Sequence, residues 1–131
     1  MREEPRHLFV YGTLKRGSRN RYANILQRRA QFIGEAFARG RLYRIGSFPG
    51  AVFDVSCPGK VFGEVFHLSS LDLLSELDVY EGCEGNVESD PFRRDIIRVQ
   101  FAHGRALHAW AYSYVANLPG WAVIPTGRFT P

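Results

Sequence analysis

The stretch Phe9-Val10-Tyr11-Gly12-Thr13-Leu14-Lys15-Arg16-Gly17 decides how the rest of the sequence folds. Leu8 to Tyr11 is an apolar run of aromatic and β-branched residues, which reads as a buried strand. It stops at Gly12, where the backbone can turn sharply and lie close to a ligand. Gly17 supplies a second such point. Thr13 offers a hydroxyl between them, and Lys15 and Arg16 offer positive charge. Amide N–H groups in a turn of this kind point outward and can cradle an anion. Two readings fit the stretch: a loop at 11–14 holding a carboxylate or phosphate, or a plain β-turn with a solvated basic end.

A chain of 131 residues, 45% hydrophobic and 14% aromatic, suits one domain with one packed core. With that apolar content a packed globule, not a disordered chain, is the expectation. No window approaches the roughly 18 consecutive apolar residues of a membrane helix. The opening Met1-Arg2-Glu3-Glu4-Pro5-Arg6-His7 is polar and lacks the apolar segment of a signal peptide. The expected organisation is a single cytoplasmic domain over 1–131, with 1–6 as a flexible tail.

Cys57 and Cys83 are the two cysteines. Two do not make a disulfide framework, and no Cys/His cluster has zinc spacing. No metal or cofactor is expected. The net charge of +4 is unevenly spread. Residues 1–50 hold eleven Lys/Arg against three acids, and residues 51–131 hold six against ten. Lys15, Arg16, Arg19, Arg21, Arg28 and Arg29 lie in a stretch without an acid. Such a patch can attract nucleic acid, but no nucleic-acid motif accompanies it, so a solvated basic face is the expectation.

Beyond the opening strand, Ser18 or Asn20 can cap a helix over about 20–30, with Tyr22, Ile25, Leu26 and Arg29 on one face. Phe32 to Tyr43 reads as a strand or bent strand pair with glycine bulges. Ser47-Phe48-Pro49-Gly50 reads as a turn by composition, and Ala51-Val52-Phe53 as a short strand. Val61 to Leu68 is a clear strand. Ser69 and Asp72 match a capping box that opens a second helix. Leu71, Leu74 and Leu77 give this helix its buried stripe, and Gly82 is a good C-terminal stop. Residues 83–92 read as a loop. Arg94–Phe101 and Ala106–Val115 read as a hairpin turning at His103-Gly104. The tail from Leu118 reads as an irregular cover. Five or six strands with two short helices make an α+β fold whose glycine bends suit a barrel-like mixed sheet.

Glu81 is the acid of chemical interest. It sits between Tyr80 and Gly82 at a helix exit, beside the leucine stripe. Partial burial would raise its pKa toward the working pH, as a general acid/base requires. It reads equally as a surface glutamate bonded to the turn. Cys83 has Glu84 and Glu88 nearby, which raise rather than lower a thiol pKa, so it reads as an ordinary thiol.

The opening stretch and Leu77-Asp78-Val79-Tyr80-Glu81-Gly82 together resemble the γ-glutamylcyclotransferase-like superfamily, most closely its bacterial members and the AIG2-like γ-glutamylamine cyclotransferases. Phe48-Pro49-Gly50-Ala51, Gly63-Glu64-Val65-Phe66 and Ala109-Trp110-Ala111-Tyr112 fall in the order the resemblance requires. It implies a barrel-like α+β fold with a single cavity. It implies that the amides of Tyr11, Gly12, Thr13 and Leu14 hold the α-carboxylate end of a small γ-glutamyl substrate, with Pro49 and Gly50 also in the binding site. Glu81 matches the family's catalytic glutamate, a proton shuttle. The substrate's own α-amine attacks its γ-carbonyl, giving 5-oxoproline and a released amine or amino acid. Family members commonly carry a tyrosine and, two residues later, an arginine after the Glu-Gly pair. The counterpart here is Phe92-Arg93-Arg94, in which Phe92 lacks the hydroxyl, leaving Tyr112 or Tyr114 to replace it. That departure supports an alternative expectation, a non-catalytic module that binds a small carboxylate.

Overall fold

The computed structural model describes residues 5–82, 90–118, 120 and 122–130. The opening strand β1 (His7–Val10) has Leu8, Phe9 and Val10 all buried. Its side chains alternate between two cores, as strand geometry requires. Leu8 and Val10 join a cluster with the helices, while Phe9 and Tyr11 point into a second cluster enclosed by strands. A strand buried on both faces reads as a continuous apolar run, which is why the pattern does not alternate.

Helix α1 (Arg21–Arg29) is capped by Asn20, whose side chain accepts from the Ala23 N–H at 2.8 Å. Tyr22, Ile25 and Leu26 pack inward, while Arg29 is exposed and pairs with Glu76. Strand β2 (Ala30–Ile45) runs for 16 residues as one element, with a bulge between Phe32 and Gly34. Its first part pairs with β4 (Lys60–Leu68), and its second part with β3 (Phe48–Phe53). The expected turn over Ser47–Gly50 is therefore wrong, because β3 already begins at Phe48. Pro49 is tolerated there because β3 meets β6 only at Ala51, which leaves the edge at Pro49 without a ladder partner on that side.

Helix α2 (Asp72–Glu81) buries Leu73, Leu74 and Leu77, each contributing about 2 kcal/mol of apolar burial. The expected capping box does not form. Leu71 occupies the cap position, Ser70 Oγ accepts the Asp72 N–H at 3.2 Å, and Ser69 Oγ turns to the Arg29 carbonyl. The helix does end at Gly82, which adopts φ 72°, a left-handed conformation that favours glycine. Strands β5 (Phe92–Phe101) and β6 (Ala106–Tyr114) form the expected hairpin. A short β7 (Ala122–Val123) lies within the expected irregular tail and pairs with β2.

The order β1-β4-β2-β3-β6 closes on itself, because β6 also pairs with β1, Leu8 facing Trp110. Two junctions, β1–β6 and β3–β6, are parallel and the rest are antiparallel. The result is a closed five-stranded mixed barrel with extra strands and two helices. Closure removes free sheet edges. Pro5 and Arg6, placed in a tail by sequence, are engaged here. The Trp110 indole donates to the Pro5 carbonyl at 3.0 Å, and the Leu68 N–H to the Arg6 carbonyl at 2.7 Å. Among the described residues no helix is long and apolar enough to cross a membrane.

Candidate active site

Barrel closure brings the end of β1, the start of β3 and the end of α2 to one place. Tyr11, Gly12, Thr13, Ser47, Phe48, Pro49, Tyr80, Glu81 and Phe92 line a cavity of about 350 Å³. Sixty-nine positions of sequence separate Gly12 from Glu81, yet they share its wall.

Tyr11 anchors the first side. Its hydroxyl donates to the Tyr112 carbonyl at 2.5 Å and accepts the Ala51 N–H at 3.2 Å. The residue is buried, so its pKa is driven above the ordinary tyrosine range, first by desolvation and then by the charge of Glu81. The chain then turns, with the Lys15 N–H donating to the Gly12 carbonyl at 3.1 Å. Gly12 is required by a close approach: a Cβ there would lie 2.7 Å from Pro49 Cγ. Two side chains tether the loop at Thr13. Asn20 Nδ2 donates to the Thr13 carbonyl, and the Tyr80 hydroxyl donates to Thr13 Oγ1, both at 2.7 Å. Tyr80 thus ties α2 directly to the loop.

Glu81 occupies the last turn of α2, with part of its surface reaching the cavity. Desolvation pushes its carboxyl up to about 7. Among the described residues no hydrogen bond or ion pair is made to that carboxyl, so nothing offsets the cost of charging it. A carboxyl near 7 can take and return a proton at neutral pH.

One turn earlier, Asp78 is held by a network the sequence did not disclose. Arg94 Nε and Nη2 donate to its two oxygens at 2.8 and 3.1 Å, and the Tyr112 hydroxyl donates to Oδ1 at 2.7 Å. The Arg94 guanidinium also lies 4.4 Å over the Trp110 ring. Tyr112 therefore stands behind the cavity with its hydroxyl committed to Asp78. Its pKa is raised by burial and by that bond. Leu14 points into the helix-side core, and Gly50 packs against the Tyr114 ring, where a Cβ would lie 2.9 Å from it.

Of the residues singled out from sequence, Tyr11, Gly12, Thr13, Pro49 and Glu81 meet at the cavity, while Leu14, Gly50 and Tyr112 lie outside its lining. Ser47, Phe48, Tyr80 and Phe92 complete the wall. The quoted motifs contained Phe48, Tyr80 and Phe92, but only the barrel's closure puts their side chains together. Cys83, Glu84 and Glu88 lie outside the described residues. Among the described residues no three of His, Cys, Asp and Glu come together as a metal-holding group.

The sequence profile of the family described as gamma-glutamyl cyclotransferase, AIG2-like, matches residues 8–131. A gamma-glutamylaminecyclotransferase of Rattus norvegicus is 30% identical, the match covering 91% of this chain and 85% of that protein. The crystal structure of an AIG2-like protein from Mus musculus superposes with a TM-score of 0.71 at 25% identity, covering 91% of this chain and 83% of the other. YkqA from Bacillus subtilis shares the fold with a TM-score of 0.71 at 23% identity. That match covers 96% of this chain, which spans 40% of the length of YkqA.

Proposed function

The chain belongs to the gamma-glutamyl cyclotransferase, AIG2-like family, and from that premise we propose that it converts a small γ-glutamyl amine or γ-glutamyl amino acid to 5-oxoproline and a free amine. The observation that carries the proposal is the Glu81 carboxyl, without a hydrogen-bond or ion-pair partner among the described residues and pushed up to about 7, in the same cavity as the Gly12-Thr13 turn.

The turn holds the substrate's α-carboxylate through backbone amides. Tyr11 fixes one end of this turn and Tyr80 its middle. Ionised Glu81 takes a proton from the α-ammonium. The freed amine nitrogen attacks the γ-carbonyl carbon, and a new C–N bond closes the five-membered ring. Glu81 then returns its proton to the departing nitrogen as the old C–N bond breaks, and the ring nitrogen gives up its surplus proton to the released amine, leaving neutral 5-oxoproline and an ammonium. The reaction is intramolecular, so holding the chain folded supplies much of the rate. Proton transfer through Glu81 supplies a further factor of about 10²–10⁴. The name of the rat relative, at 30% identity, supports an amine as leaving group.

The test is 5-oxoproline release from a panel of γ-glutamyl amines, γ-glutamyl amino acids and glutathione. Turnover by the wild type that is lost in Glu81→Gln supports the reading. Equal turnover by both proteins overturns the assigned role, because an amide cannot carry the proton. Phe92 in the cavity wall, where the family commonly has a tyrosine, favours a second reading, a module that binds a small carboxylate without cleaving it. Saturable binding of γ-glutamyl compounds with no 5-oxoproline released would select it.

A further inference from the structure

The cavity wall divides by chemistry. Gly12 and Thr13 present main-chain and hydroxyl groups on one side, and Glu81 presents its acid. Placing a γ-glutamyl group between these, as the proposed function does, leaves Ser47, Phe48 and Phe92 as the surface against the departing amine. That surface is largely hydrocarbon. The Phe48 and Phe92 rings lie 6.0 Å apart at 50°, and Phe92 is in turn edge-on to Tyr114 at 5.4 Å. Phe92 is 5% exposed, whereas Phe48, at the rim, is 39% exposed. Phe48 therefore presents part of its ring at the cavity mouth, beside the buried ring of Phe92.

No Lys, Arg or His lines the cavity among the described residues. The stretch 83–89 contains Glu84 and Glu88 and no Lys or Arg. An amino-acid leaving group brings a carboxylate, for which the described lining offers no cation. An amine with a hydrocarbon substituent brings only apolar area, which the two rings can bury.

Resting on the proposed function, we infer that the departing group is an apolar, carboxylate-free amine, alkyl or arylalkyl, and that Phe48 and Phe92 form its subsite. The geometry of the rim makes Phe48 the specificity-determining residue of the pair. Phe92 belongs to the core, and Phe48 can be changed without opening it.

The experiment measures kcat/KM for four N-substituted γ-glutamyl conjugates, those of methylamine, butylamine, benzylamine and glycine, with wild type, Phe48→Ala and Phe48→Arg. The wild type should prefer the benzyl over the glycine conjugate by at least about tenfold, the scale on which an apolar pocket separates substrates. Phe48→Ala should lower the benzyl-to-methyl ratio several-fold. Phe48→Arg should shift preference toward the glycine conjugate. Equal use of glycine and benzyl conjugates, or a Phe48→Ala variant with an unaltered benzyl-to-methyl ratio, overturns the subsite. If no conjugate releases 5-oxoproline, the proposed reaction fails, and the subsite is then judged by calorimetric affinities of the same intact conjugates. The benzyl compound must bind more tightly than the glycine compound, and Phe48→Ala must narrow the gap; otherwise the subsite fails as well.

Discussion

Two glutamates are drawn into this barrel, and they are treated in opposite ways. Glu64, on β4, is 8% exposed and fully engaged: the Arg16 N–H donates to Oε1 at 2.7 Å, and Arg16 Nε lies 3.3 Å from Oε2. Glu81, at the end of α2, has no such partner among the described residues, and burial raises its pKa to about 7. The Gly12–Gly17 turn runs between them, with Gly12 and Thr13 facing the cavity of Glu81 and Arg16 gripping Glu64. A buried acid with its hydrogen bonds made holds structure in place. A half-buried, desolvated acid without them, as at Glu81, is held ready to bind a proton.

Exchanging the roles of the two acids gives the largest effects. On the proposed mechanism, Glu81→Gln lowers 5-oxoproline formation by about 10²–10⁴-fold, while Glu64→Gln, which can still accept the Arg16 N–H, retains most of it. Steady-state rates for the two variants test this, and comparable losses would dissolve the contrast. Stability should move the other way. Glu64→Ala strands the Arg16 N–H and costs about 1–3 kcal/mol, read by denaturant unfolding.

The pH dependence separates the acids further. The folded-state pKa of Glu81, about 7, stands above its ordinary 4.5. Its contribution to stability is therefore complete below about pH 4.5 and is lost as pH rises through about 7. Glutamine carries no such liability. Glu81→Gln should match the wild type near pH 4 and exceed it by on the order of 2 kcal/mol at pH 8. Unfolding curves at the two pH values check this, and a constant difference would place the carboxyl in solvent. The same group should give kcat/KM an acid limb near pH 7, since the ionised form is the one that accepts the ammonium proton.

Smaller effects probe the turn that lies between the acids. Gly12→Ala puts a Cβ 2.7 Å from Pro49 Cγ. It should cost about 1–3 kcal/mol of stability and raise KM, both measurable on the purified variant. Tyr80→Phe removes the 2.7 Å bond to Thr13 Oγ1. Its expected cost is about 1 kcal/mol, seen chiefly as a several-fold rise in KM.

The sequence disclosed most where one element's own pattern suffices. The apolar run of β1, the β5–β6 hairpin, the Asn20 cap and the Gly82 stop all follow from local chemistry. It disclosed least where a partner decides. Pro49-Gly50 has the composition of a turn, yet the chain stays extended because β2 pairs along it. Ser69 and Asp72 have capping-box spacing, yet Ser69 finds the Arg29 carbonyl instead. At the site, Glu81 stood out by its place at a helix exit. The Asp78–Arg94–Tyr112 network did not, since a hydroxyl on β6 and a guanidinium on β5 meet an aspartate on α2 only after the barrel has closed.

The halt of α2 at Gly82 has one more consequence. Aligned peptide dipoles leave partial negative charge at a helix C-terminus, and Glu81 sits in that last turn. The helix end therefore works against a lone anion and in favour of a visiting cation. An ammonium seated there brings a counter-charge to Glu81, so its arrival favours ionisation of the acid it is about to need. On the proposed reading the base is armed by its own substrate and idles in its absence.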